Sequence, residues 1–524
     1  MSVNTDISSK LTTDERYIFG VLREVAEKYY PNSYPRVCGG WVRDKIMGQQ
    51  SSDIDVMLVG VSGEDFAKRV TKYIGVKNPH VVRANPEASK HLETAGASIP
   101  VPSGAKADVD FAMARTEVYH DMSRIPEIKP ATAKEDAYRR DLTINSMFYN
   151  IITGQVEDFT GNGIHDLITK TIRTPEEPYK TFKDDPLRIL RTIRFATKID
   201  GKINPETYEA MKDPSLKKEL INKVSKERIK DELSKIIKSK GAAAGINILK
   251  DIGLFDYIME GALKGSEFDG KMSPLDMNQN NPNHELTVWD HSMEVLKHTL
   301  EQYAESDEEI KLIMSISALM HDFGKLYSGI QQQKTDRTTY KGHDDASAKI
   351  AKLILEFLKF ENRITNNVVA YIGRHMYVHP LLPHEKEVKD KTLRRFVRKM
   401  GEESLSWIDL INLAIADAKA RNKLPDTNID EYNALRDRIS ALIEQGSYTE
   451  KQGVQPVVNG NEIMQALELK PGPWMREIID FVADLQDENP SISKEDAIAK
   501  VREKFSGVTS GVTAGVASGE TNPV

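Results

Sequence analysis

The spacing of apolar residues over positions 13–29 predicts an amphipathic helix. Beyond it the period shortens. YPRVCGG (Tyr34 to Gly40) reads as a short strand running into a glycine turn, and WVRDKIMG (Trp41 to Gly48) begins a helix that ends near Gly48. DIDVMLVG (Asp53 to Gly60) is an apolar run of strand length, and KADVDFAMAR (Lys106 to Arg115) is another. This alternation predicts an α/β fold for the N-terminal part. The stretch from Ala114 to Asp141 has little apolar periodicity and reads largely as loop. From about residue 184 strand signals become scarce, and helices dominate to about residue 505. The end, FSGVTSGVTAGVASGETNPV, is small and polar with a short Ser/Gly-Val-Thr echo. Such a segment cannot bury a core and is expected to be disordered.

At 524 residues the chain is too long for one core, and about two to four domains are expected. The elements suggest a head over 1–165, a helical neck over 166–260, a helical body over 261–425, a C-terminal helical region over 426–507 and a tail over 508–524. Hydrophobic residues at 39% and charged residues at 29% are ordinary for a globular protein. No window approaches the apolar length of a membrane span, and MSVNTDISSKLTTDER lacks the basic-then-apolar order of a secretory signal. A single cysteine, Cys38, excludes disulfide scaffolds and thiolate zinc sites. It fits a reducing, cytoplasm-like compartment.

The formal net charge of -7 is not that of a protein coating long nucleic acid. RNA would be held through a local patch. Lys212 to Lys240 carries ten basic against five acidic residues, which serves equally as a solvated helix face or an RNA contact.

Asp53 and Asp55 are two apart on a strand and so share a face. Like charges held this way are costly unless a cation sits between them. Carboxylates are the hard-oxygen ligands of magnesium, which is often shared with substrate phosphates. Asp110, on the second strand, could add a third oxygen, and the set suits two-metal phosphoryl transfer. Gly39 and Gly40 would let backbone N–H groups approach phosphates, and Arg43 would add a charge-assisted contact.

Gly-Gly-x-Val-Arg-Asp followed by Asp-Ile-Asp on a strand resembles the nucleotidyltransferase superfamily related to DNA polymerase β. More narrowly it resembles the class II tRNA nucleotidyltransferases, the CCA-adding enzymes, and their bacterial poly(A) polymerase relatives. The likeness continues through SKHLETA (Ser89 to Ala95), VDFAMARTEVY (Val109 to Tyr119), EDAYRRDLTINSMFYNI (Glu135 to Ile151), VEDFTGNGIHDL (Val156 to Leu167) and DDPLRILRTIRFA (Asp184 to Ala196). It covers roughly residues 30 to 260, and SKHLETA and MFYNI are closer to the eukaryotic members.

In RRDLTIN, Arg140 suits a triphosphate oxygen and Asp141 a ribose hydroxyl, and the resemblance implies both roles. DDPLRILRTIRFA fits a helix with Pro186 in its first turn. Ile189, Leu190, Ile193 and Ala196 would pack on one face; Asp184, Asp185, Arg188 and Arg191 fall on the other. The resemblance implies that Asp185 and Arg188 pair with the base edge of C and A; Arg194 reads as structural. SKERIKDEL and ILKDIGLFDYI are similar to the neck helices of the family.

QNNPNHELTVWDHSMEVL and ALMHDFGK resemble the HD phosphohydrolase superfamily. His291, His321, Asp322 and Asp417 offer imidazole and carboxylate ligands, and His343 and His375 could complete a second metal position. Such ligands suit Mn²⁺, Ni²⁺ or Co²⁺. HD domains in this setting act as phosphatases or phosphodiesterases, or serve only as structure.

The expectation is thus an α/β polymerase-β-like head, a helical neck and a helical HD-type body. It would be an enzyme acting on tRNA with CTP, ATP and Mg²⁺, with no membrane or DNA partner and an open oligomeric state. The rivals are a poly(A) polymerase, an enzyme limited to CC or A addition, and an HD hydrolase whose head only binds RNA.

Overall fold

The computed structural model describes residues 6–76, 80–82, 94–118, 127–280, 286–334, 337–382, 388–421, 429–444, 457–468, 472 and 474–514. Most of the SKHLETA segment lies outside them, as do residues 515–524. The chain forms two compact units, dividing at Ala262/Leu263, with Phe357–Lys359 counted with the first.

The first unit opens with helix α1 (Thr13–Tyr29), on the span expected from periodicity. A capping box starts it: Thr12 Oγ1 accepts from Glu15 N–H, and Glu15 accepts from Thr12 N–H at 2.8 Å. Its apolar stripe, including Ile18, Leu22 and Val25, is buried. A seven-stranded mixed sheet follows, built from β1 (Arg36–Cys38), β2 (Ile54–Leu58), β3 (His80–Val82), β4 (Thr94–Pro100), β5 (Lys106–Met113), β8 (Phe148–Asn150) and β9 (Gln155–Glu157). Its order is β3-β4-β5-β2-β1-β8-β9, with β2 and β5 parallel and the other neighbours antiparallel. Helices α2 (Gly40–Ile46) and α3 (Gly63–Tyr73) leave the first two strands. Val37, Val56, Phe66 and Phe111 lie in one core with α1.

The segment read as loop carries structure. Strands β6 (Arg115–Val118) and β7 (Glu127–Pro130) pair as an antiparallel ribbon, and α4 (Ala133–Tyr138) follows. A second capping box, Thr132 with Glu135, nucleates α4. These elements are too short to show a period, so their apolar pattern was silent.

Beyond the sheet lie α5 (Gly163–Ile168), α6 (Pro178–Asp184), α7 (Arg188–Ile199), α8 (Pro205–Met211), α9 (Pro214–Lys223), α10 (Lys226–Ile237), α11 (Ala242–Asp251) and α12 (Leu254–Leu263). Ile189, Leu190, Ile193 and Ala196 are buried on α7 as expected. Pro186, however, sits in a turn between α6 and α7 and not inside the helix. The Asp185 carboxylate accepts from Leu187 N–H at 3.1 Å and its carbonyl from Arg188 N–H at 3.0 Å, so Asp185 ends α6 and holds the turn that leads into α7.

The second unit is helical: α13 (Val288–Gln302), α14 (Glu308–Met320), α15 (His343–Phe357), α16 (Asn362–Arg374), α17 (Asp390–Glu402), α18 (Trp407–Lys419), α19 (Ile429–Glu444), α20 (Gly460–Leu467), α21 (Trp474–Glu488) and α22 (Lys494–Ala514). Helix α13 packs on α14 and α18, and α14 on α16. Helices α20 to α22 share a core of Val458, Ile478, Val482, Val501 and Phe505. Arg398 on α17 binds Asp484 and Asp487 on α21, at 2.8 and 3.1 Å. Helix α22 runs to Ala514, into the tail expected to be disordered. Among the described residues no helix is long and apolar enough to cross a membrane.

Candidate active site

Strand β1 ends at Cys38 and is followed by Gly39, whose φ of 73° and ψ of −133° exclude other residues without strain. The chain turns there into α2, returns as β2, and so brings the glycines beside the aspartates. Asp53 immediately precedes β2, and Asp55 lies on it in register with Asp110 on β5. Burial, then the charges of Asp110 and Asp53, push the Asp55 carboxyl up, with Arg140 opposing. Negative charge is thus in excess, and a divalent cation held by oxygen ligands would relieve it. The donor set fits magnesium.

A cleft of about 670 Å³ opens over this point. Gly39, Gly40, Arg43, Asp53, Asp55, Arg140, Asp141, Asp185, Arg188 and Arg191 all line it. Asp110 is the one head residue singled out in the sequence that is not in that lining, although it is Asp55's strand partner.

The side chains are already engaged. Arg43 is buried, donating to Asp44 at 2.8 Å and to Asn145 at 2.6 Å, with Phe195 beneath it. A phosphate would share this guanidinium with those partners. Arg140 is held by Asp136 and lies over the Phe148 ring. Asp141 accepts from Arg191 at 2.7 Å and from Asn145 at 3.2 Å. Burial alone would raise its carboxyl, but Arg191, Asn145 and Arg188 outweigh that and hold it below the usual carboxylate range. Asp185 and Arg188 sit in the same cleft but pair elsewhere. Asp185 meets Arg228 at 3.2 Å, and Arg188 donates to the carbonyls of Thr181 at 3.1 Å and Arg139 at 2.7 Å. Arg194 forms an ion pair with Glu232 at 2.7 Å, in keeping with a structural role, although it too reaches the cleft wall.

Sequence reading missed Asp136, Arg139, Lys198, Arg228 and Lys235, of which the four cations line the cleft. Arg139 was visible as the first arginine of RRD, and Arg228 and Lys235 belong to the basic run.

The second unit gathers all six residues expected there. His291, His321 and Asp417 form one group of converging ligand atoms, and Asp322, His343 and His375 another. His291 comes from α13, His321 and Asp322 follow α14, His343 begins α15, His375 follows α16, and Asp417 lies on α18. Gly324 permits the meeting: a Cβ there would stand 2.1 Å from the His343 carbonyl oxygen. The Nδ1 atoms of His321, His343 and His375 donate to the carbonyls of Ala318, Tyr340 and Ile372 at 2.9, 3.0 and 2.7 Å, which turns each Nε2 inward. The buried His321 Nε2 makes no hydrogen bond, although Asp322 and Asp417 oxygens lie 3.4 and 3.8 Å away. Burial pushes His375 down to about 3, with the charge of His321 adding to it, so its imidazole is neutral. Imidazole nitrogens and carboxylates converging in this way fit a divalent metal ion, which would take the place of the proton that Asp322 and Asp417 hold on His321. Lys325 and Arg421, bound to Asp322 and Asp417, were not foreseen, nor was His379 beside Asp417.

Comparison with known proteins gives matching results for each part. Residues 35–173 match the poly A polymerase head domain, 202–264 the probable RNA and SrmB-binding site of polymerase A, and 288–417 the HD domain. The chain is 31% identical to the tRNA nucleotidyltransferase cca1 of Schizosaccharomyces pombe, over 90% of this chain and 91% of that one. It is 28% identical to the mitochondrial CCA tRNA nucleotidyltransferase of Saccharomyces cerevisiae, over 94% and 93%. Among solved structures, a CCA-adding enzyme in apo form I superposes with a TM-score of 0.60 at 17% identity, over 96% of this chain and 97% of that chain. The Thermotoga maritima CCA-adding enzyme complexed with tRNA superposes at 0.55 and 18%, over 96% and 99%. The architecture is therefore a polymerase-β-like head with a mixed sheet, joined to a helical body.

Proposed function

The chain belongs to the tRNA nucleotidyltransferase family, and from that premise we propose that it adds CMP, CMP and AMP from CTP and ATP to the 3′ end of tRNA without a nucleic-acid template. One observation carries the reading: Asp53 and Asp55, the clamped arginines and the Asp185–Arg188 turn share a single cleft.

Asp53, Asp55 and Asp110 would hold magnesium. When bound, that ion lowers the pKa of an attacking hydroxyl and neutralises triphosphate charge. The tRNA 3′ hydroxyl attacks the α-phosphate and pyrophosphate leaves. Arg140 faces the triphosphate, with Arg139 beside it. Asp141 keeps Arg191 in place and offers its carboxylate to the ribose. Asp185 supplies the acceptor and Arg188 the donors that read the base edge. The basic run on α9 and α10 would hold tRNA phosphates without reading sequence. The buried free thiol of Cys38 suits a reducing compartment.

Incubation with a tRNA lacking its 3′ end and each NTP, read at nucleotide resolution, tests this. Full CCA supports it; a poly(A) tract, or addition that stops at CC or at A alone, replaces it with the corresponding rival.

The histidine cluster supports a second reading for the body. We infer a site for Mn²⁺, Ni²⁺ or Co²⁺ with hydrolysis of phosphomonoesters or 2′,3′-cyclic phosphates as a side activity. The inward, unsatisfied His321 Nε2 is its support.

A further inference from the structure

Asp136 lies on α4 and is only 1% exposed. A carboxylate so deeply buried is costly unless fully paired. Its pairing is complete and directional. One oxygen accepts from Arg139 Nε at 2.9 Å and Nη2 at 2.5 Å. The other accepts from Arg140 Nε at 3.0 Å and Nη2 at 2.9 Å. A single anion therefore grips two guanidiniums, each by the two-nitrogen edge that fixes a plane. Both arginines line the cleft with Asp53 and Asp55.

The α-helix is what makes this possible. Arg139 and Arg140 follow Asp136 at i+3 and i+4, the two positions that can meet one side chain. The capping box fixes where the helix starts, and Arg139 N–H bonds back to the Glu135 carbonyl at its end. Arg140 Nη1 then approaches Gly39, where an added Cβ would stand 3.6 Å away. Two cations held on one anion leave a net positive charge in the cleft.

We propose that Asp136 is a positioning residue for nucleotide binding: it clamps Arg139 and Arg140 as a paired receptor for the triphosphate, which CTP and ATP share. The inference rests on the nucleotidyltransferase reading above. It separates triphosphate binding from base choice. Arg188 is anchored to the Arg139 carbonyl, a backbone atom set by the helix and not by the clamp.

The test compares wild type, Asp136→Asn, Asp136→Glu, Arg140→Gln and the Asp136→Asn/Arg140→Gln double variant. Readouts are kcat and KM for CTP and ATP on truncated tRNA, and direct titration with inorganic tripolyphosphate, with thermal unfolding alongside. Losing charge-assisted bonds should raise KM by about tenfold or more in Asp136→Asn. The factor should be the same for CTP and ATP, and tripolyphosphate binding should weaken in step. Asp136→Glu, which keeps the charge, should recover part of the loss. The double variant should lose less than the sum of the two single losses, because Asp136 then holds only Arg139. If Asp136→Asn does not fold, Asp136→Glu carries the test, with a smaller rise equal for both nucleotides. Unchanged tripolyphosphate binding in a folded variant, a shift in the CTP:ATP ratio, or additive losses in the double variant would each overturn the clamp. A wild type that binds tripolyphosphate but extends no tRNA would instead overturn the function reading.

Discussion

Asp55 and Asp110 stand opposite one another on adjoining parallel strands, β2 and β5. Asp53, two residues before Asp55, lines the cleft with it. Burial, then the charges of Asp110 and Asp53, raise the proton affinity of Asp55, with Arg140 opposing. Such an arrangement is stable only when something positive is shared.

Asp53→Ala or Asp55→Ala should therefore abolish incorporation while leaving tRNA binding nearly intact. Magnesium contributes several kilocalories of charge stabilisation, so single-turnover incorporation should fall on the order of a thousandfold or more. A parallel tRNA titration should barely move, because the basic run lies on α9 and α10. Near-normal incorporation by either variant would remove the metal assignment.

Arg188→Ala should flatten discrimination among CTP, ATP, UTP and GTP. The wild-type guanidinium is pinned by two carbonyls, so its donors meet a base edge in one orientation. Sites built on hydrogen bonds reject a wrong partner because buried polar groups would be left unpaired. Values of kcat/KM for the four nucleotides should converge. An unchanged ranking would assign base choice elsewhere.

The Asp136 clamp also makes a pH-dependent contribution. Burial favours the neutral acid, but Arg140 and Arg139 outweigh it and hold the carboxyl below the ordinary value of 3.8. A depressed folded-state pKa stabilises the protein above the unfolded value, and that contribution is lost as pH falls through the folded one. Asp136→Asn removes the titrating group. Its melting temperature should fall less steeply below about pH 4 than that of wild type. Parallel slopes would mean that the clamp does not contribute to acid unfolding.

The legible parts of this molecule were those with a period or a paired chemistry. The α1 stripe, the two aspartate strands and the α7 core face all follow from alternation or helical spacing. The β6–β7 ribbon and α4 did not, since each is shorter than the window in which a period shows. Thr-x-x-Glu at Thr132–Glu135 was the available signal for α4. With α4 recognised, Asp136, Arg139 and Arg140 fall at ion-pair spacing. Pro186 was misread because a first-turn position and a turn between helices look alike in sequence. In the body, the cluster was legible as residue types in order. Lys325 and Arg421 were readable only as i+3 and i+4 neighbours of Asp322 and Asp417.

The two units should be separable by mutation. The cleft and the histidine cluster have no residue in common. The double change His321→Ala and Asp322→Ala takes one ligand atom from each metal group and removes the unsatisfied His321 nitrogen. It should abolish Mn²⁺-, Ni²⁺- or Co²⁺-dependent hydrolysis of phosphomonoesters and 2′,3′-cyclic phosphates, because imidazole ligands favour those ions over magnesium. CCA addition should stay largely intact. The double change also strips Lys325 of the Asp322 carboxylate, 2.7 Å away, and leaves a buried cation behind. Stability must therefore be followed beside activity. Added metal should raise the melting temperature of wild type but not of the variant, since an ion that binds only the folded state stabilises it. A folded double variant that no longer adds CCA would show that the sites are coupled. Wild type that takes up no transition ion, and hydrolyses nothing with any of them, would leave the cluster as structure alone.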